Sequence, residues 1–205
     1  INKQMETKII NNLEGQIREL TKDVEETRTV TFVASTSSVD RHGTVVNQDN
    51  WNIEKFNANP IVGYQHNVYG GDEANPDDQL GTAKAYKEGD NLMVDITFEP
   101  KEINEKADKI FRKIQHGSLR AVSVGFIPLY DDKGSIGKNV DGAFHYFGQE
   151  LLEISVVNIP SNPEALKRSL LDAIKPEEET KKEEKNTSVK SVRELGLLLK
   201  KKTLK

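Results

Sequence analysis

The stretch Arg120-Ala121-Val122-Ser123-Val124-Gly125-Phe126 constrains the fold more tightly than any other part of the chain. Val122, Val124 and Phe126 alternate with Ala121, Ser123 and Gly125, the period-2 pattern of a strand. One face of this strand is bulky and apolar. The other carries only Ala, Ser and Gly, which leaves room for another group to approach the backbone. The one reactive atom on that small face is the Ser123 hydroxyl. Packing offers a competing explanation, since small residues also suit a tight sheet-to-helix contact. Two other residues favour chemistry: a histidine, His66, at the end of an earlier strand, and a carboxylate inside a later one.

Other short strands surround this one. Arg28 to Thr36, Thr44 to Val46 and Ile61 to His66 read as strands, the last delivering His66 at its end. Residues 80–86 and 91–98 form a hairpin around Glu88-Gly89-Asp90, with Leu92, Val94, Ile96 and Phe98 alternating on a buried face. Residues 144–147 and 150–157 are strands, after a turn-rich excursion over 131–142. Helical signals are fewer. Asp49 or Asn50 caps a short helix carrying Trp51, Ile53 and Phe56, which Asn59-Pro60 ends. Pro100 opens a second helix with Ile103, Ala107, Ile110, Phe111 and Ile114 on one side and Gly117 as its C-cap. Asn162-Pro163 opens a third that runs to about Ile174. Many short strands with two or three helices predict an α+β, β-rich domain, closed or partly closed as a barrel.

That domain is expected over residues 28–175. Residues 1–27 form an N-terminal extension. Its stripe of Met5, Ile9, Leu13, Ile17, Leu20 and Val24 predicts a helix, with an edge strand as the alternative over part of 16–24. Residues 176–205 begin as a flexible Glu/Lys linker and finish in a short helix over Ser191 to Leu199, followed by three lysines. Charge is uneven. Residues 166–205 hold 12 Lys and Arg against 7 Asp and Glu, so within a net charge of −4 the rest of the chain carries −9. This argues against nucleic acid as a partner. No apolar run approaches the roughly 18 residues of a membrane span. Ile9-Ile10 sits among polar residues and so predicts no secretory leader. The chain has no cysteine, which removes disulfides, thiolate catalysis and cysteine-based zinc sites.

A serine hydroxyl is a weak nucleophile at neutral pH. It needs a base within hydrogen-bond reach, and the base needs a third group to fix its tautomer. The sequence offers Ser123, His66 and an acid from Glu150 or Glu153. Glu153 is the more telling acid, being a carboxylate inside the apolar strand Leu151-Leu152-Glu153-Ile154-Ser155-Val156-Val157, where a buried charge needs a partner. The alternative is a salt bridge on a half-exposed strand face, which Ser155 on the same face also suits. No Gly-x-Ser-x-Gly elbow is present. The other histidines carry less: His42 lies in a polar loop, His116 beside a helix end, His145 between aromatics. No two histidines have a short ligand spacing, so neither a metal nor a cofactor is expected.

Four motifs in order carry a resemblance: Asp40-Arg41-His42-Gly43-Thr44-Val45-Val46, Phe56-Asn57-Ala58-Asn59-Pro60-Ile61-Val62-Gly63-Tyr64-Gln65-His66-Asn67, Val122-Ser123-Val124-Gly125-Phe126, and Leu152 to Ala165. The series resembles the maturation proteases of tailed-bacteriophage proheads over residues 28–175. That family consists of serine peptidases similar in fold to the herpesvirus assembly protease, a β-barrel ringed by helices. The resemblance implies Ser123 as nucleophile, His66 as base and Glu153 as the third member, with Glu150 as the competing acid. It implies a serine endopeptidase in the procapsid, within the host cytoplasm. It would cut scaffold protein or scaffold-like capsid segments, and itself. Capsid and scaffold proteins are the expected partners, with self-association and no membrane. A reading from a different class is a non-catalytic assembly module that binds capsid protein through the C-terminal tail.

Overall fold

A computed structural model describes residues 23–69 and 75–168. The stripe up to residue 22 and the linker and helix expected past residue 175 lie outside the described residues. Among the described residues, 23–27 are helical and Pro76–Asp78 form a 3-10 turn; the other elements, in order, are β1 (Thr29–Ser35), β2 (Thr44–Val45), β3 (Trp51–Asn52), α1 (Glu54–Ala58), β4 (Val62–Tyr64), β5 (Gly81–Glu88), β6 (Asn91–Phe98), α2 (Glu105–His116), β7 (Ala121–Pro128), β8 (Gly137–Val140), β9 (Ala143–Tyr146) and β10 (Gln149–Val157). The β-rich α+β class expected from the alternation is observed.

Seven strands form one mixed sheet in the order β1-β6-β5-β4-β10-β3, with β7 on the other edge of β10, and the sheet curves into a half-barrel. β10 is its axis. It runs antiparallel to β7 and parallel to β4 and β3, so three separate regions of the chain meet along it. β2, β9 and β8 make a small second sheet. One face of the sheet holds the core, a cluster that includes Phe32, Val94, Ile96 and Phe98 together with Phe111 and Ile114 of α2. Each such side chain contributes roughly 1.5–3 kcal/mol on burial. The Asn104 side chain caps α2 by accepting from the Ala107 N–H at 3.0 Å. Gly117 ends the helix at φ +85°, a conformation that glycine reaches without a Cβ penalty.

Four local expectations need correction. Trp51 and Asn52 are not helical, because their backbone pairs with Gln149 and Glu150, and α1 begins at Glu54 with Ile53 as its cap. Pro100 precedes a turn rather than opening α2, which leaves Ile103 outside the helix and exposed. The 131–142 excursion contains β8, paired with β9 across the Asp141-Gly142 turn. The segment after Pro163 is not helical as far as it is described. Its backbone goes to two strands at once: Val122 and Val33 donate to the carbonyls of Ala165 and Leu166, and Lys167 and Arg168 donate to those of Arg120 and Thr31. Those strand partners replace the bonds that a helix would make within itself.

Candidate active site

The site begins with a bulge in β10. Leu151 and Ile154 are three residues apart, yet both face the core, which an uninterrupted strand forbids. The register slips between Leu151 and Glu153 against β7, so that Leu151 pairs with Phe126 and Glu153 with Gly125. The extra residue turns Glu153 and Ser155 to the face opposite the core, a known use of bulges beside functional sites. On β7 the same face carries Ser123 and Gly125, the small side of the 120–126 alternation. Ser123 pairs with Ser155, and Ser155 pairs with Gly63 of β4, so Ser123, Ser155 and Gly63 stand in one row across three strands.

His66 reaches this face by leaving β4. Gln65 and His66 both adopt left-handed backbone, at φ 55° and 61°, a conformation costing about 1–2 kcal/mol for a residue with a side chain. Backbone and side-chain bonds from β10 hold the turn: the Gln65 N–H donates to Val156 O and the His66 N–H to Ser155 Oγ, both at 3.1 Å. The turn aims the imidazole at Glu153, with Nδ1 2.7 Å from Oε1. The other Glu153 oxygen accepts from Ser155 Oγ at 2.6 Å. Glu153 is 2% exposed, so its charge is held by designated donors rather than by water. Its hydrogen bond and charge raise the His66 pKa above 6.5, against the opposing effect of partial burial.

Ser123 is buried to 5% exposure, and among the described residues its hydroxyl has no side-chain hydrogen bond. It lines a groove of about 340 Å³ that runs past Gly125 and Tyr69 toward His42, Ser161 and the loop after β1. Glycine at 125 leaves room for the acid: a Cβ there would meet Glu153 Oε1 and the Tyr69 hydroxyl well inside contact distance, so one of them would have to move. Partial burial, together with the charge and hydrogen bond of Glu153, raises the Tyr69 pKa and keeps the phenol protonated.

The remaining candidates are elsewhere or otherwise engaged. Glu150 is ion-paired to Lys55 at 2.8 Å. His42 Nε2 lies 3.2 Å from Ser161 Oγ, while Asp40 is committed to the backbone N–H groups of His42 and Thr44 and to the Thr44 hydroxyl. His116 ends α2 and His145 lies in β9. Among the described residues no group of three or more His, Asp or Glu side chains could hold a metal ion. Sequence reasoning missed the parts played by Ser155 and Tyr69. Ser155 carried a usable signal, a hydroxyl two residues from Glu153 in an apolar strand; Tyr69, in a loop rich in Gly and Asn, carried none.

A family model described as Caudovirus prohead serine protease matches residues 81–186, just over half of the chain. The matched span includes Ser123 and Glu153, whereas His66 precedes it. No curated protein and no solved structure matches the chain.

Proposed function

Because the chain belongs to the Caudovirus prohead serine protease family, we propose that Ser123, His66 and Glu153 form its catalytic triad and that it cuts scaffold protein, or scaffold-like segments of capsid protein, within the prohead. Membership gives prohead maturation and serine-type hydrolysis; the residues and the substrate are this proposal. The observation that carries it is the 2.7 Å contact of His66 Nδ1 with a buried Glu153, beside a serine on the neighbouring strand.

In this reading His66 Nε2 removes the proton from Ser123 Oγ as the oxygen attacks the scissile carbonyl. Glu153 holds Nδ1–H, fixes the tautomer and balances the imidazolium that forms. The imidazolium then protonates the leaving amine, the amine departs, and an acyl-serine remains. Water, deprotonated by the same imidazole, attacks the ester and returns the Ser123 hydroxyl. Glu150 has no part in this sequence, being engaged with Lys55.

The protease domain spans 28–175. It adopts a barrel like that of the herpesvirus assembly protease, a reading supported by the hydrogen bonds of residues 165–168 to both β1 and β7, the two strands that flank them. The enzyme works inside the procapsid in the host cytoplasm, associates with capsid and scaffold proteins and with itself, and also cuts its own chain. Incubating the purified chain with capsid and scaffold proteins and following intact masses tests the reading. Wild type should generate discrete fragments and Ser123→Ala none. Fragments from both would return the chain to the role of an assembly module with a contaminating protease.

A further inference from the structure

We propose that Ser155 is a positioning residue of the catalytic machinery, its single hydroxyl fixing the Glu153 carboxylate and the left-handed backbone of His66 at the same time. The inference rests on the triad reading above and adds a residue to it. The Ser155 hydroxyl donates to Glu153 Oε2 at 2.6 Å and accepts from the His66 N–H at 3.1 Å. Its one proton and one of its lone pairs are therefore both spent on the acid–base pair. Ser155 is 0% exposed, so water cannot substitute for it.

The surroundings are shaped to admit this hydroxyl. A Cβ at position 63 would come 2.7 Å from Ser155 Oγ, so the glycine in β4 provides the room. His66 is no longer in β4 register, and its N–H would lack a strand acceptor without Ser155. The hydroxyl thus supports the turn that carries the base while orienting the acid that the base faces. The carboxylate also interacts with the Tyr69 hydroxyl, and Ser155 is the buried donor that fixes Oε2. With Oε2 held, Oε1 is presented to Nδ1 in one orientation. Displacements of about 1 Å in such arrangements cost on the order of 10²-fold in rate.

The test uses the full chain and a fluorophosphonate probe, which phosphonylates activated serines and needs no known peptide substrate. Labelling rates are measured from pH 5 to 9 for wild type, Ser123→Ala, Glu153→Gln, Ser155→Ala, Ser155→Cys and the double variant Glu153→Gln/Ser155→Ala. Wild type labelled no faster than Ser123→Ala would overturn the triad reading itself. Given labelling at Ser123, Ser155→Ala should react roughly 10–100-fold more slowly. Its pH midpoint should fall toward that of Glu153→Gln, because a carboxylate that has lost its Oε2 bond, and keeps only His66 and Tyr69 as neighbours, holds the imidazolium less well. The double variant should be no slower than the slower single variant. Multiplying losses, or an unchanged or raised midpoint in Ser155→Ala, would overturn the role of Ser155 and leave the triad standing. Ser155→Cys keeps the position filled, with a slightly larger atom, but donates weakly, so it should show the same slowing; if only Ser155→Ala is slow, the loss comes from packing.

Discussion

Among the described residues two groupings set a serine, a histidine and an acid close together, and in only one of them does the acid meet the histidine ring. On the sheet, His66 meets a buried carboxylate through its ring, with Ser123 on the next strand. In the loops, His42 meets Ser161 through its ring at 3.2 Å, and Asp40 lies two residues away. Yet the Asp40 oxygens accept from backbone N–H groups at 2.8 Å and from Thr44, and so fix the loop instead of the imidazole. A triad requires the acid to hold the histidine tautomer. In the loop the acid shapes the backbone; on the strand the backbone is already paired, and the carboxylate is left to act on the ring.

Substitutions in matched pairs break or sharpen this contrast. The largest difference is expected between the serines. Ser123→Ala should lower cleavage roughly 10³-fold or more, whereas Ser161→Ala should stay within about twofold, as for a half-buried loop residue outside the proposed triad. Comparable losses in a cleavage assay would erase the distinction. The acids come next. Glu153→Gln should cost on the order of 10²–10⁴ in kcat, while Glu150→Gln, which removes only a partly exposed ion pair with Lys55, should leave kcat nearly intact. A larger loss from Glu150→Gln would move the third role to that residue. Gly125→Ala should follow, since its methyl group meets Glu153 Oε1 and the Tyr69 hydroxyl. Activity should fall by tens of fold, with about 1–3 kcal/mol of overpacking cost seen in denaturant unfolding.

A smaller effect concerns pH. In the proposed triad the neutral imidazole of His66 is the base, and its pKa is raised mainly by the hydrogen bond to Glu153. Cleavage should therefore rise with pH through a midpoint above 6.5. Stability has the opposite sign. A group whose pKa is higher folded than unfolded contributes fully below its unfolded value and loses that contribution as pH rises through the folded one. The interaction that favours folding near pH 6 thus fades as activity appears, and Glu153→Gln should flatten both trends. The smallest change belongs to the loop acid. Asp40→Asn should cost about 1 kcal/mol of stability in denaturant unfolding and leave kcat unaltered.

The sequence by itself determined the β-rich class, the strand with one small face, the 81–98 hairpin, the cap at Gly117 and the identity of the candidate nucleophile and base. These follow from spacing and residue chemistry, which act over a few residues. It also favoured Glu153 over Glu150, because a carboxylate among Leu and Ile demands a partner. Only the tertiary structure decided the rest. The bulge that brings Leu151 and Ile154 to the core and turns Glu153 away from it depends on pairing with β7, and alternation in β10 alone does not register it. The left-handed turn at Gln65 and His66 has no glycine to announce it, and hydrogen bonds from residues about 90 positions later support it. Residues 165–168 read as helix from Asn162-Pro163, but carbonyl and N–H groups left open by β1 and β7 took their backbone instead. Local pattern sets which element a segment prefers; partners distant in sequence set where its side chains aim.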